Sequence, residues 1–204
     1  MATIQEFTAA RNITSLVHFT KLKNLDSILQ YGLLTPQLCE FLDIASEVND
    51  RARYDGQDAV CLSIEFPNYQ LYWSFHNRDT SVQWAIVELH SDVLWLKNCC
   101  FCTTNAADSA MSAQSFESRQ GLPALEALYQ DYEGKNRADL KIPDNYTTNP
   151  QAEVLCIDAI DVDFIKAVHL DDYFAYKHYS AAYPLVTIKW SSCYFKYRCD
   201  WRHW

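Results

Sequence analysis

Short β-forming runs recur along this chain without helices alternating regularly between them, and that pattern restricts the fold more than any other feature. The runs are SLVHF near the start, Ala59 to Ile64, QWAIVELH (83–90), Leu94 to Cys102, and then AEVLCIDAI, DFIKAVHL and PLVTIKW in the last third. A doubly wound parallel sheet needs a helix after almost every strand. The spacing instead predicts an α+β fold with about six or seven strands and two to four helices, most of the helices in the first two-thirds. The clearest local unit follows SLVHF. Thr20 is placed to cap a helix over KLKNLDSILQY, whose Leu22, Leu25, Ile28 and Leu29 share one face, and Gly32 stands where a left-handed C-cap is expected. CEFLDIASEV (39–48) and the stretch from Leu122 to Tyr132 carry further helical patterns. Between Thr103 and Pro150 the chain is polar and poor in periodicity, closing on the turn signals Pro143, Asp144, Asn145 and Asn149-Pro150. A stretch of that length inside a compact chain is usually functional.

At 204 residues the chain can bury a sizeable core, roughly 70% of its unfolded surface, and residues 1–204 are expected to form one domain. No apolar run reaches the roughly 18 residues that span a bilayer. The start, MATIQEFTAARN, lacks the basic head and apolar core of a signal peptide, so the expectation is a cytoplasmic protein without a membrane. The eight cysteines show no paired CxxC knuckles and lie mostly in apolar runs, which predicts free buried thiols; Cys99, Cys100 and Cys102 form the one cluster with a possible zinc reading.

A net charge of −9 argues against an extended nucleic-acid surface. The C-terminal strip is different: Lys189, Lys196, Arg198 and Arg202 stand against one acid, Asp200, interleaved with Trp190, Tyr194, Phe195, Tyr197, Trp201 and Trp204. Such a strip suits a single strand, whose bases stack while its phosphates pair; it equally suits an amphipathic strand and a terminal core anchor.

No glycine-rich phosphate loop, HExxH or GxSxG occurs, so chemistry must rest on polar groups at strand ends. His18-Phe19-Thr20 leaves a strand and enters a helix, where backbone N–H groups suit an anionic or amide-bearing ligand; a helix cap beside a core histidine gives the same pattern. Gln151-Ala152-Glu153 enters the apolar run VLCI straight after the long polar stretch, with Gln151 and Glu153 on one face, an arrangement a surface pair would also give. Arg51 or Arg53, in NDRARYDG, can bind phosphate in bidentate fashion or belong to a solvated charge run.

Taken together and in this order, these stretches are distinctive. LVHFTKLKNLDSILQYGLL, NDRARYDG, CLSIEFPNYQLYW, NPQAEVLC and the closing YFKYRCDW resemble the DarT family, DNA ADP-ribosyltransferase toxins paired with a DarG antitoxin. The resemblance covers most of the chain and is weakest from Thr103 to Asn149. It implies an ADP-ribosyltransferase-like fold, two small and mostly antiparallel sheets around an NAD⁺ cleft with flanking helices. It implies NAD⁺ as co-substrate, held by His18, Phe19 and Thr20 with Asn24, Ser27 and Gly32 to Leu34 nearby, and Glu153 as the catalytic residue. An arginine would assist both binding and catalysis, Arg53 by the NDxxRxD spacing and Arg51 as the alternative. The substrate implied is a thymine or guanine of single-stranded DNA, and the partner a DarG-type macrodomain antitoxin, the chain itself being a monomer with no metal. Rival readings are transfer to RNA or protein, an NAD⁺-using RNA 2′-phosphotransferase, against which NPQAEVL argues, and a nucleic-acid-binding module that has lost catalysis, against which the retention of both His18 and Glu153 argues.

Overall fold

The computed structural model describes residues 2–47 and 58–204. Among these, seven strands form one sheet: β1 (Ser15–Lys21), β2 (Val60–Ile64), β3 (Trp84–His90), β4 (Cys99–Cys102), β5 (Glu153–Cys156), β6 (Ile165–Leu170) and β7 (Ile188–Trp190), in the order β4-β5-β2-β1-β3-β6-β7. Every neighbouring pair is antiparallel except β6 and β7. The α+β class is as expected. The two small sheets are in fact halves of one, and their join is narrow. β1 pairs with β3 along its whole length, from Ser15↔His90 to Lys21↔Trp84, but with β2 only at Leu16↔Ile64 and Val17↔Ser63. Beyond Val17 the backbone of β1 has no ladder on its β2 side, and a cleft opens in this seam.

Period-two alternation explains the layers. Ala85, Val87 and Leu89 of β3, Phe101 of β4 and Val154 of β5 enter one core that is continuous across the sheet, covered by α1 (Ile4–Ala10), α2 (Leu25–Tyr31), α5 (Val93–Leu96), α7 (Gly121–Ala127) and α9 (Tyr173–Ala182) through Phe7, Leu25, Val93, Leu125 and Tyr179. The alternate residues face the other way, and there the core is split. Val17, Trp84 and Ile86 pack with Tyr72 of α4 (Tyr69–Arg78) and with Phe195; Cys100, Cys102 and Leu155 pack with Ala59, Ala106 and Met111, the last from α6 (Ser109–Ser112). Two separate clusters on one face leave room between them.

Several local expectations change. Thr20 is not a helix cap: it lies inside β1, a 3-10 turn (Leu22–Asn24) follows, and its hydroxyl accepts from Asn24 Nδ2 at 2.9 Å. The CEFLDIASEV helix is displaced toward the N-terminus as α3 (Pro36–Phe41), because Thr35 caps it and Pro36 suits its first turn. The run Leu94 to Cys102 divides into α5 and β4, and the helical stretch near Leu122 is α7, with α8 (Arg137–Leu140) beyond it. Nine α-helices lie among the described residues, more than the two to four expected, because several are single short turns; most fall in the first two-thirds as expected, with α9 in the last third.

Gly32 ends α2 with φ +82° and ψ −170°, so the positive φ is as expected although the cap is extended rather than left-handed helical. A Cβ there would lie 2.2 Å from the carbonyl oxygen of Ile160, which accepts from Leu33 N at 2.9 Å. Gly32→Ala is therefore expected to cost about 3 kcal/mol, combining an unfavourable φ with an overpacked backbone contact. In thermal unfolding followed by circular dichroism this corresponds to a fall in Tm of about 10 °C; an unchanged Tm would show that the contact yields freely.

Candidate active site

The cleft in the seam is lined by every expected NAD⁺-binding residue that the structure describes, namely His18, Phe19, Thr20, Asn24, Ser27, Gly32 and Leu34, and by Glu153 from the other half of the sheet. The histidine turn and the glutamate are thus brought to one cavity although 135 positions separate them in sequence. Arg51 and Arg53 lie outside the described residues. Gln151 is not among the lining; its N–H donates to Asn149 Oδ1 at 2.9 Å, and β5 begins only at Glu153.

His18 bridges the gap where the β1–β2 ladder stops. Its Nδ1 lies 2.8 Å from the carbonyl oxygen of Cys61, and a carbonyl only accepts, so Nδ1 carries the proton. Burial pushes the imidazole below its ordinary pKa, against the opposing pull of that hydrogen bond. A neutral ring with Nδ1 protonated presents Nε2 as an acceptor, the partner a ribose hydroxyl requires. Asn24 acts on the chain rather than the cavity: besides Thr20 it binds Glu47, with Nδ2 donating to the carbonyl oxygen at 3.0 Å and Oδ1 accepting from N–H at 2.9 Å. Lys21 and Lys23 both pair with the Glu47 carboxylate and hold it below the usual range. Glu47 is therefore held beside the cavity by both its backbone and its side chain. Ser27 donates to the Asn24 carbonyl at 2.9 Å and shapes the wall.

Glu153 is 6% exposed, and its two oxygens are gripped separately: Asn105 Nδ2 donates to Oε1 at 3.0 Å and Ala106 N–H to Oε2 at 2.9 Å. Across the ladder it faces Cys102, whose sulfur accepts from the buried guanidinium of Arg119 at 3.2 Å. The backbone leading to Glu153 is fixed from the C-terminus. Arg198 donates through Nη1 to the carbonyl of Thr147 at 2.9 Å and through Nη2 to that of Thr148 at 2.8 Å, and it pairs with Asp200 at 2.7 Å, both side chains being buried. Asn149 adds a bond from Nδ2 to the Thr103 carbonyl at 3.0 Å. The C-terminal strip thus serves partly as an anchor: Arg198 is spent internally, and Lys189 pairs with Glu88 at 3.2 Å.

Asn105, Ala106, Arg119 and Asn68 were not legible as site residues. Asn68 lines the cavity at the N-terminus of α4, where its Oδ1 caps Leu71 N–H at 3.1 Å and its buried Nδ2 has no hydrogen-bond partner among the described residues. An unsatisfied buried donor beside a cavity is consistent with a ligand that carries acceptor oxygens. The cavity therefore joins an apolar wall (Val17, Phe19, Leu71, Phe75) to a neutral histidine and a fixed carboxylate, a combination that fits a dinucleotide with a heteroaromatic ring and ribose hydroxyls.

A family model described as ssDNA thymidine ADP-ribosyltransferase, DarT, matches residues 17–191. Among solved structures, Thermus sp. 2.9 DarT in complex with ADP-ribosylated ssDNA superposes with a TM-score of 0.54 at 13% identity, covering 93% of this chain and 96% of that one. The same protein in complex with carba-NAD⁺ gives a TM-score of 0.56 at 16% identity, over 93% and 97%. Thermosipho africanus DarTG in complex with ADP-ribose gives 0.55 at 16% identity over 85% of this chain, which spans only 49% of that longer one. At these identities the likeness is one of fold. No curated protein matches the chain.

Proposed function

The chain belongs to the DarT family of ssDNA thymidine ADP-ribosyltransferases, and on that footing we propose that Glu153 is the carboxylate with which it moves ADP-ribose from NAD⁺ to thymine in single-stranded DNA. The observation that carries the assignment is the convergence of the His18 turn and the doubly anchored Glu153 on one cavity. Breaking the bond between C1′ of the ribose and the nicotinamide nitrogen develops positive charge on the sugar, and a fixed carboxylate beside it stabilises that charge most at the transition state. Nicotinamide leaves as a neutral molecule. The new bond forms from C1′ to the ring nitrogen of thymine that bears a proton, and Glu153 accepts that proton as general base, a role typically worth about 10²- to 10⁴-fold. The arginine that assists it is assigned to Arg53, with Arg51 as the alternative, on the sequence pattern alone. Of the two bases the sequence leaves open, the family description names thymidine. A base inside a duplex is out of reach, so the substrate is a single strand or a splayed base.

The relatives' complexes with NAD⁺ analogue and modified ssDNA support this reading, and the DarTG complex supports a DarG-type macrodomain partner that restrains a toxin. We read the chain as acting as a monomer. No helix among the described residues is long and apolar enough to cross a membrane. The test is mass spectrometry of short oligonucleotides incubated with NAD⁺, varying one base at a time. A single ADP-ribose adduct on thymine-containing DNA is expected. Adducts confined to guanine would overturn the base assignment, and adducts confined to RNA or protein the substrate class.

A further inference from the structure

One aromatic ring of α4 and two of the C-terminal segment form a row on the side of α4 turned from the cavity. Trp73 of α4 and Tyr197 are near-parallel, 18° apart with centroids at 5.3 Å, and Trp201 continues the row at 5.4 Å and 31° from Tyr197. The two rungs from the C-terminal segment are open to solvent, the middle ring Tyr197 at 51% and the end ring Trp201 at 45% exposure. Rings of this size usually gain by burial, so an exposed, ordered row is notable. It is held in place from beneath: the buried Arg198–Asp200 pair fixes the backbone between Tyr197 and Trp201, so little further ordering is needed to receive a ligand.

The charge around the row is cationic, against the trend of the molecule. Lys196 and Arg202 are exposed, and Arg202 lies over the Trp201 ring at 5.4 Å from its centroid. The one acid of the segment, Asp200, is buried and consumed by Arg198 and by Trp204 Nε1 at 2.8 Å. α4 connects this row to the active site, since its Leu71 and Phe75 line the cavity while Trp73 projects from the opposite side.

We propose that the outer face of the Trp73–Tyr197–Trp201 row is a stacking platform for bases of the single-stranded DNA that flank the modified thymine. This rests on the DNA-directed reading above. The rings within the row are too close to admit a base between them, so a base caps Trp201. In doing so it displaces the guanidinium of Arg202 from the ring face onto the adjoining phosphate, while Lys196 neutralises the next. Stacking of this kind is sequence-tolerant because every base has a π-face, and it lets an acidic protein hold DNA through one local patch.

The experiment measures fluorescence anisotropy of a labelled, thymine-containing 20-nucleotide DNA with the full chain, beside NAD⁺ binding by calorimetry and elution volume on gel filtration. Trp201→Ala is expected to weaken DNA binding about tenfold or more with NAD⁺ affinity unchanged, and Trp201→Phe to restore much of it. Arg202→Glu, which leaves the rings in place and covers the case that the alanine variant misfolds, is expected to weaken binding and flatten its salt dependence. Full DNA affinity in both Trp201→Ala and Arg202→Glu would overturn the platform. So would a parent dimer that Trp201→Ala makes monomeric without loss of DNA affinity, since the row would then be an interface between copies. A parent that binds DNA through Trp201 yet never modifies it would keep the platform and overturn the enzymatic reading; a parent that binds no DNA would overturn both.

Discussion

Glu153→Gln is expected to slow ADP-ribose transfer by at least about 10³-fold while NAD⁺ affinity stays within about a few-fold, because the substitution removes a charge that matters most at the transition state. The shape of the side chain is retained, but its chemistry at the anchor is not. Both oxygens of Glu153 accept from donors, Asn105 Nδ2 and Ala106 N–H. A glutamine amide can satisfy only one of them and turns its own N–H₂ toward the other. The variant is therefore expected to fold with a modest loss of stability, on the order of 1 kcal/mol, for one mismatched hydrogen bond. Single-turnover modification of an oligonucleotide, measured beside calorimetric NAD⁺ titration, separates the two effects. Transfer within tenfold of the parent would remove Glu153 from the centre of the chemistry and leave the cavity as a binding site only.

The largest effect on stability is expected from Arg198→Met. The methionine fills the volume of the side chain, but Asp200 is left buried with Trp204 as its remaining partner, and the carbonyls of Thr147 and Thr148 lose their donors. Removing one member of a buried ion pair typically costs about 3–5 kcal/mol, because the survivor is an uncompensated charge. Burial alone pushes the Asp200 carboxyl up; the Arg198 guanidinium and the Trp204 indole more than offset this and hold it below the ordinary aspartate value. The sign of the pH dependence follows. With a folded-state pKa below the unfolded one, the pair's contribution is complete at neutral pH and lost as pH falls through the folded value. The parent and Arg198→Met should therefore differ most in Tm near neutrality and converge on strong acidification. A constant difference down to acid pH would place the stabilisation in packing instead of charge.

Much of the architecture was legible because it rests on local pattern. Each expected β-run contains a strand, since a run of β-forming apolar residues such as WAIVELH marks a strand buried on both faces without reference to partners. His18 and Glu153 were legible as a pair only through the order of the motifs around them. Where interactions span the chain, the sequence is silent. Asn105 reaches Glu153 across 48 positions and Arg198 reaches Thr148 across 50, and nothing in a polar loop or a terminal arginine announces such partners. α4 was masked by its own composition: YQLYWSFHNR is aromatic and weak in helical preference, so no helix was expected there although Asn68 caps one. α9, YFAYKHYSAA, was hidden in the same way. The expectation of two sheets failed at a finer level, because whether neighbouring half-sheets share two rungs or none depends on register, which no single segment carries.

That narrow join has a mechanical meaning. A sheet sewn along most of its seams and tacked at one is compliant there, and shear between the halves concentrates where Val17 and Ser63 meet. A dinucleotide lying across the gap, touching the histidine on one flap and the carboxylate on the other, would act as a rivet. Occupancy and stiffness would then rise together, and the protein would be most rigid when loaded and ready to react.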